Sequence, residues 1–455
     1  MQSLKKNSII NLEITGMTSE GNGVGRHEGM AVFVPFTAVG DIIECKIVKV
    51  NKTLAYGIID KIIALSQDRI ESDCEVYKKC GGCTFRHISY ESELKTKQNF
   101  VEDAFRRIGK LDVAFEEIQG CNEQDYYRNK AQYPVAEDEN GKAVCGFYSK
   151  RSHRVVSFTE CRLQASVFSD ITKAVLDYVN KNNIKAYNEE TGGGILRHIY
   201  IRRGYYSGEI MVCLVVNKSV TDKLKLLAEK LIADFPKIKS IVQNINRRNT
   251  NVILGDKNTT IAGSDTIKDT LCGNVFELSP LSFYQVNTAQ AEKLYACAKE
   301  YAHLTGTETL IDMYCGAGTI GLSMADSVKK IIGCEIIPDA IENAKKSAVR
   351  NSINNAEFIC GDAGKTAEYL LKSNIRPDVV VIDPPRKGCD ELTLSSIVKM
   401  SPSKIVMVSC NPATAARDAA YLNDNGYVPV KARAFDLFPR TGHVETVVLL
   451  SRIEK

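Results

Sequence analysis

From about residue 286 the sequence alternates between short β-branched runs and helix-length segments. "ETLIDMY", "KIIGCEI", "AEFICGD", "PDVVVIDPP" and "KIVMVSC" follow one another, and "GYVPVKARAFDLF" with "HVETVVLLSR" ends the series as a hairpin-like pair. Parallel strands cannot be joined by a tight turn; each needs a crossover of a dozen or more residues, usually a helix. The alternation therefore predicts a doubly wound α/β domain over 286–455 with a mostly parallel sheet. Ligands bind such sheets outside the carboxyl ends of the strands, so the residue after each run is where chemistry is expected.

The rest of the chain is organised differently. Residues 1–65 contain "SIINLEITGM", "MAVFVPF", "DIIECKIVKV" and "LAYGIIDKII", short runs broken by Gly, Asn and Asp. Several short strands in so small a segment predict a β-barrel of OB type, and the stretch resembles the TRAM domain, an RNA-binding barrel. Residues 66–285 read as a mixed central domain. Within it "YESELKTKQNFVEDAFRRIG" predicts an amphipathic helix over 90–109, with Leu94, Val101, Phe105 and Ile108 at helical spacing, able to pack on the catalytic domain. At 25% charged residues and a net charge of +4, composition permits a nucleic-acid partner without requiring one. No run of 18 apolar residues and no leader-like h-region are present, so the expectation is a cytoplasmic protein with no membrane partner, a monomer. Its 15 cysteines then sit in a reducing compartment, as ligands, nucleophiles or core residues.

"CEVYKKCGGC" sets Cys74, Cys80 and Cys83 at C-x5-C-x2-C. Three thiols in ten residues suit a metal centre that lacks one ligand. A zinc ribbon would bring a second C-x2-C pair, which is absent, whereas one distant thiol suits a [4Fe–4S] cluster. Cys161 in "VSFTECRLQ" is the candidate; Cys121 and Cys145 are its rivals.

"LIDMYCGAGTIGL" runs strand, Gly316-x-Gly318-x-x-Gly321, helix. Glu335 ends the next strand, placed to accept from ribose hydroxyls; Asp362 ends the third, where it could meet an adenine amino group; Asp383 ends the fourth, within Asp383-Pro384-Pro385-Arg386. The glycine loop alone fits NAD as well as S-adenosylmethionine.

In order, "DMYCGAGTIGL", "GCEI", "GDA", "IDPPRKG", "VSCNPAT" and "GHVET" resemble the RNA uracil-5-methyltransferase family over essentially the whole chain. The resemblance implies S-adenosylmethionine as cofactor, bound through Gln285 of "SPLSFYQVN", Tyr314, Thr319, Glu335, Asp362 and Asp383. Thr319 stands where some relatives carry Asn. The barrel and the cysteine spacing resemble the ribosomal RNA branch and are expected to set the chain apart from the tRNA branch. They imply a [4Fe–4S] cluster on Cys74, Cys80, Cys83 and Cys161, and a loop uridine of 23S ribosomal RNA as substrate.

Uracil C5 is a poor nucleophile. A thiolate added to C6 makes it one, and a base must afterwards remove the C5 proton, which is the logic of covalent catalysis. Cys410, at the end of the fifth strand with Pro412 opening the next helix, is the expected nucleophile, its thiol eased toward thiolate by the helix N-terminus. Glu445 is the expected base and His443 its rival; Cys389 is read as incidental. The basic stretches "YYRNKAQY" and "SKRSHR" are expected to track phosphates, with Tyr126, Tyr127 and Tyr133 available for stacking. Cytosine-5 enzymes place Pro-Cys after the fourth-strand Asp, which here reads Pro384-Pro385, and amino-methyltransferases place an aromatic where Arg386 stands. A tRNA uracil-5-methyltransferase, or a non-catalytic RNA-binding module, are the remaining alternatives.

Overall fold

The computed structural model describes residues 4–453. Eight strands build the catalytic sheet: β1 (Ala114–Gln119), β2 (Thr309–Met313), β3 (Lys330–Glu335), β4 (Ala356–Cys360), β5 (Val379–Ile382), β6 (Lys404–Ser409), β7 (Tyr427–Phe435) and β8 (Glu445–Arg452). Their spatial order is β4-β3-β2-β5-β6-β8-β7-β1. Strands β2 to β6 are mutually parallel. The chain winds outward from β2 to β4, then returns to the other side of β2 with β5, so a topological switch point lies beside β2. Strand β5 is buried at all four positions, as expected of a strand covered on both faces.

Helix Thr288–Ala302 covers one face: Ala291, Leu294 and Ala298 pack with Leu310, Val381 and Val406. The other face is covered by helices 363–372, 391–400 and 412–424 and by helix α1 (Tyr90–Ala104), whose Val101 and Ala104 join Ile311, Val380 and Ile405. Ser89 caps α1, accepting from Ser92 N–H at 3.2 Å. The helical register changes to a π turn over Phe105–Gly109, and Ile108, expected on the apolar face, is 53% exposed. The buried face of α1 is partly polar, since Glu93 and Lys97 are both wholly buried. The 286 boundary therefore does not enclose the sheet: β1 joins its far edge, parallel to β7. A strand so short and so polar, "AFEEIQ", carries no periodic signal of its own.

The N-terminal six-stranded sheet curls around Leu12, Val32, Val34, Ile43 and Ile47. Thr15, which links the two edge strands Ile9–Glu13 and Gly16–Met17 in the chain, donates its N–H to the Val24 carbonyl at 2.9 Å. The central sheet has seven strands within 130–263. One face packs on helices 167–181 and 221–234, and the other meets the core under helix Thr288–Ala302. Among the described residues no helix is long and apolar enough to cross a membrane.

Phe105 ties these parts together. It is wholly buried in the core between α1 and the sheet, edge-on to Phe115 of β1 at 5.5 Å. Phe105→Ala is expected to cost about 3–5 kcal/mol, read as a lowered urea midpoint for the catalytic sheet; a midpoint equal to that of the unaltered protein would show that α1 docks independently of this side chain.

Candidate functional site

The strand order places the polar groups in a row along one edge. Reading across the sheet, Asp362 follows β4, Glu335 ends β3, Tyr314 follows β2, Asp383 follows β5 and Cys410 follows β6. Strand β8 runs antiparallel to β6, with Ser409 opposite Thr446. The next residues outward on the two strands are Cys410 and Glu445, so this reversed strand presents its first residue at the edge where the others present their last.

The loop after β2 turns sharply: Tyr314, Gly316 and Gly318 all have positive φ, at 64°, 55° and 78°. A Cβ on Gly316 would meet no atom within 4 Å, so the loop faces open space. Gly321 packs where a Cβ would lie 2.8 Å from Asp312, whose carboxylate accepts the Gly321 N–H. Glu335 accepts from Gly316 N–H at 3.2 Å and Ile337 N–H at 2.9 Å, which fixes its carboxylate beside the loop. Asp362 caps helix 363–372, accepting from Lys365 N–H at 3.2 Å. The Thr319 hydroxyl lies 3.1 Å from the Tyr295 hydroxyl. Tyr314 turns its hydroxyl away, toward Thr393 and Cys389. Gln285 is held by its main chain: Asn129 donates to the Gln285 carbonyl at 2.8 Å, and buried Arg202 donates to the carbonyls of Ser279 and Ser282 at 2.9 and 2.7 Å. Nothing local in the sequence marks Asn129 or Arg202, because their partners lie about 80 to 160 residues away.

Around Cys410 acid outweighs base. Burial, then the charges of Glu445 and Asp383, push the Cys410 thiol up to about 11, with Arg386 acting against them. This overturns the expected easing by the helix N-terminus: desolvation and two neighbouring carboxylates outweigh a helix-end field of about half a charge. Burial raises Asp383 to about 7 and holds Glu445 well above the carboxylate range. Three acids facing one guanidinium cannot all be ionised, so the resting site keeps protons. Arg386 donates to the His443 ring at 3.3 Å, and burial with Arg386, Arg128 and Lys97 pushes His443 down to about 4. His443 is thus neutral, with ring electrons already engaged. Asn411 fixes the turn, accepting from Ala413 N–H and donating to the Arg386 carbonyl at 2.9 Å. Cys389 is buried, and its N–H goes to Asp418, away from the row.

Cys410 and His443 open into a groove of about 1120 Å³ between the barrel and the catalytic domain, where Met17, Lys95, Phe100 and Arg106 also face it. Of the tyrosines expected to stack, Tyr127 and Tyr133 are 5% and 2% exposed and unavailable; Tyr126 remains partly exposed, its hydroxyl on Glu160.

Cys74, Cys80, Cys83 and Cys161 line one cavity of about 90 Å³, with Phe147, Phe158, Arg86 and Arg128. Cys145 lies instead in the central core, and Cys121 donates to the Glu123 carbonyl beside Asn287. Among the described residues no three His, Cys, Asp or Glu side chains converge to hold a single metal ion; the four thiols surround a volume instead. Gly81 passes under Tyr148 so tightly that a Cβ would sit 2.8 Å from its carbonyl oxygen. Arg86 reaches Asp73 and Asp125 at 2.8 and 2.6 Å and also meets Cys83.

The sequence model of the tRNA (Uracil-5-)-methyltransferase family matches residues 89–453, and that of the TRAM domain matches residues 4–59. An uncharacterized RNA methyltransferase of Clostridium acetobutylicum is 44% identical over 99% of both chains, and one of Halalkalibacterium halodurans 43% identical over 98% of both. The chain is also similar to the crystal structure of the Pyrococcus abyssi tRNA (uracil-54, C5)-methyltransferase in complex with S-adenosyl-L-homocysteine: 25% identity, TM-score 0.76, covering 97% of this chain and 100% of that one. Coverage so nearly complete includes most of the barrel, so the barrel does not separate ribosomal RNA enzymes from tRNA enzymes as the sequence reading expected.

The thiolate is the reactive form. Alkylation of Cys410 by iodoacetamide, followed on its peptide by mass spectrometry, is expected to quicken roughly tenfold per pH unit from about 7 to 10, because the thiol titrates near 11. Arg386→Gln removes the one cation that lowers this value and is expected to slow alkylation at fixed pH; an equal or faster rate would show that the guanidinium does not reach the thiol.

Proposed function

Because the chain belongs to the tRNA (uracil-5-)-methyltransferase family, whose reaction is the S-adenosylmethionine-dependent methylation of uracil C5 in RNA, we propose that it modifies a loop uridine of 23S ribosomal RNA, with Cys410 as nucleophile and Glu445 as base. The observation that carries the residue roles is the placement of Cys410, which faces the groove, and buried Glu445 at the same edge of adjacent antiparallel strands.

A uridine entering the groove must leave its stack, at a cost of a few kcal/mol that an unpaired loop reduces. Cys410, partly exposed, attacks C6 as thiolate; its proton must first leave to solvent or to an ionised carboxylate of the row. Electron density moves to C5, where S-adenosylmethionine, when bound, would supply the methyl group and leave as S-adenosylhomocysteine. Glu445 then takes the C5 proton, and the Cys410–C6 bond breaks. Burial holds the Glu445 proton well above the carboxylate range, so once that proton has left, the carboxylate is a stronger base for this transfer than one in water. His443, held neutral with its ring facing Arg386, is the poorer base. The cofactor fits the chain's own groups: an open Gly316 loop and the Glu335 carboxylate fixed beside it at the carboxyl end of β3.

The four-cysteine cavity supports a [4Fe–4S] cluster. Four thiolates around a volume match a cube of iron and sulfur, whereas one zinc ion would draw them to a point. Arg86 and Arg128 at the cavity suit its net negative charge. The reaction needs no electron, so the cluster's role is to hold the segment 74–83 and the loop around Cys161. The ribosomal substrate rests on the family branch that this cysteine pattern resembles. The second reading, a tRNA substrate, is favoured by the similarity to the Pyrococcus enzyme, a tRNA (uracil-54, C5)-methyltransferase. Mapping 5-methyluridine in ribosomal RNA and tRNA from a strain lacking the gene separates the two.

Cys410→Ala is expected to abolish transfer from labelled cofactor while leaving cofactor affinity within about twofold; Glu445→Gln is expected to form a gel-stable adduct with RNA that resolves slowly. Turnover by the alanine variant would remove Cys410 from the mechanism. Anaerobic purification is expected to yield a brown protein with about four irons per chain, and Cys161→Ser to lose them; stoichiometric zinc, or full iron in that variant, would overturn the ligand set.

A further inference from the structure

Loop Asp436–Val444 carries the chain from β7 to Glu445, and most of what grips it comes from outside the sheet. Lys97 of α1, wholly buried, donates to Glu93 and to Asp436, both at 2.7 Å, and to the Phe438 carbonyl at 3.2 Å. The second oxygen of Asp436 accepts from the Tyr90 hydroxyl at 2.9 Å. Arg440, at a positive φ of 68°, donates its backbone N–H to Glu93 at 2.7 Å. Its carbonyl accepts from the N–H groups of Thr84 and Phe85, at 2.7 and 3.1 Å, the two residues after Cys83. Tyr127 donates to the Pro439 carbonyl at 3.0 Å. Gly442 lies so near the barrel that a Cβ would be 1.8 Å from the Ser19 carbonyl oxygen.

Lys97 and Arg440 face the carboxyl groups of Glu93 and Asp436; burial raises Glu93 to about 7, with Lys97 and Arg440 acting against it. A buried ionic network of this kind repays its desolvation poorly in stability and is better suited to fixing one geometry. The geometry it fixes is the approach of the chain to Glu445, since a shift of about 1 Å at a catalytic group can cost on the order of 100-fold in rate.

We propose that Lys97 is a positioning residue for Glu445: from the centre of this clamp it sets the loop so that the base reaches the C5 proton. The proposal rests on the reading of Cys410 as nucleophile and Glu445 as base. It assigns the loop's geometry to α1, the barrel and the segment after Cys83 together, so these parts act on the second half of the reaction as well as on RNA.

The test is the full-length variant Lys97→Met/Asp436→Asn, which removes one charge of each sign and leaves Glu93 to Arg440. With a uridine-containing RNA and labelled methyl donor, kcat is expected to fall at least about tenfold and the gel-stable adduct to accumulate, while KM for RNA and cofactor affinity change by less than about threefold. An unchanged kcat overturns the proposal. So does a fall in kcat without adduct, or a parallel loss of cofactor binding, either of which marks Lys97 as merely structural. If the double variant does not fold, Asp436→Asn alone is judged by the same criteria. Absence of any adduct in both the unaltered protein and Glu445→Gln defeats the underlying mechanism; an adduct trapped by Glu445→Gln, with free turnover by the Lys97 variant, defeats the positioning role alone.

Discussion

The candidate site depends on the direction of one strand. In a parallel sheet every strand presents its last residue at the ligand-binding edge, and a base needed there must come from a loop. Because β8 lies antiparallel against β6, its first residue, Glu445, reaches that edge on a hydrogen-bonded strand. The ladder of β6, β8 and β7 therefore brings Cys410 and Glu445 to one edge on neighbouring strands, and sites built on strands hold their geometry better than sites built on loops.

The electrostatics follow from the same crowding. Asp383, Cys410 and Glu445 share a poorly hydrated corner with one cation, Arg386, so each holds its proton more tightly than in water. A thiol that is mostly protonated at rest is shielded from chance oxidation or alkylation, because those reactions need the thiolate. The same balance makes the corner responsive to what enters it, since any added positive charge favours the ionised forms.

Three stretches distant in sequence converge on this edge. The barrel touches it at Gly442, α1 through Lys97, and the cysteine-rich segment through the Arg440 carbonyl. The groove that Cys410 faces is bounded by two of these parts, the barrel and α1. The groove and the loop that leads into Glu445 therefore share supports, which gives a physical reason for the barrel and α1 to be packed against the sheet in one chain.

Much of this was written in local sequence. The alternation of β-branched runs with helix-length segments, and the polar residue after each run, made β2 to β6 and the row Glu335, Asp362, Asp383 and Cys410 readable, because strand direction and crossover length follow from short-range rules. The C-x5-C-x2-C spacing likewise grouped Cys74, Cys80 and Cys83, and the sequence offered Cys161 as the fourth thiol with Cys121 and Cys145 as rivals. Tertiary structure alone brought Cys161 to the cavity and left Cys121 and Cys145 elsewhere, added β1 to the far edge, buried Tyr127 and Tyr133, and put the polar face of α1 against the catalytic loop. It also decided the protonation of Cys410 and His443, where a helix end and a free imidazole would have suggested otherwise. The reason is common to all of these: burial and desolvation depend on which distant groups pack together, and a sequence read locally records residue type and spacing but not the dielectric around a side chain.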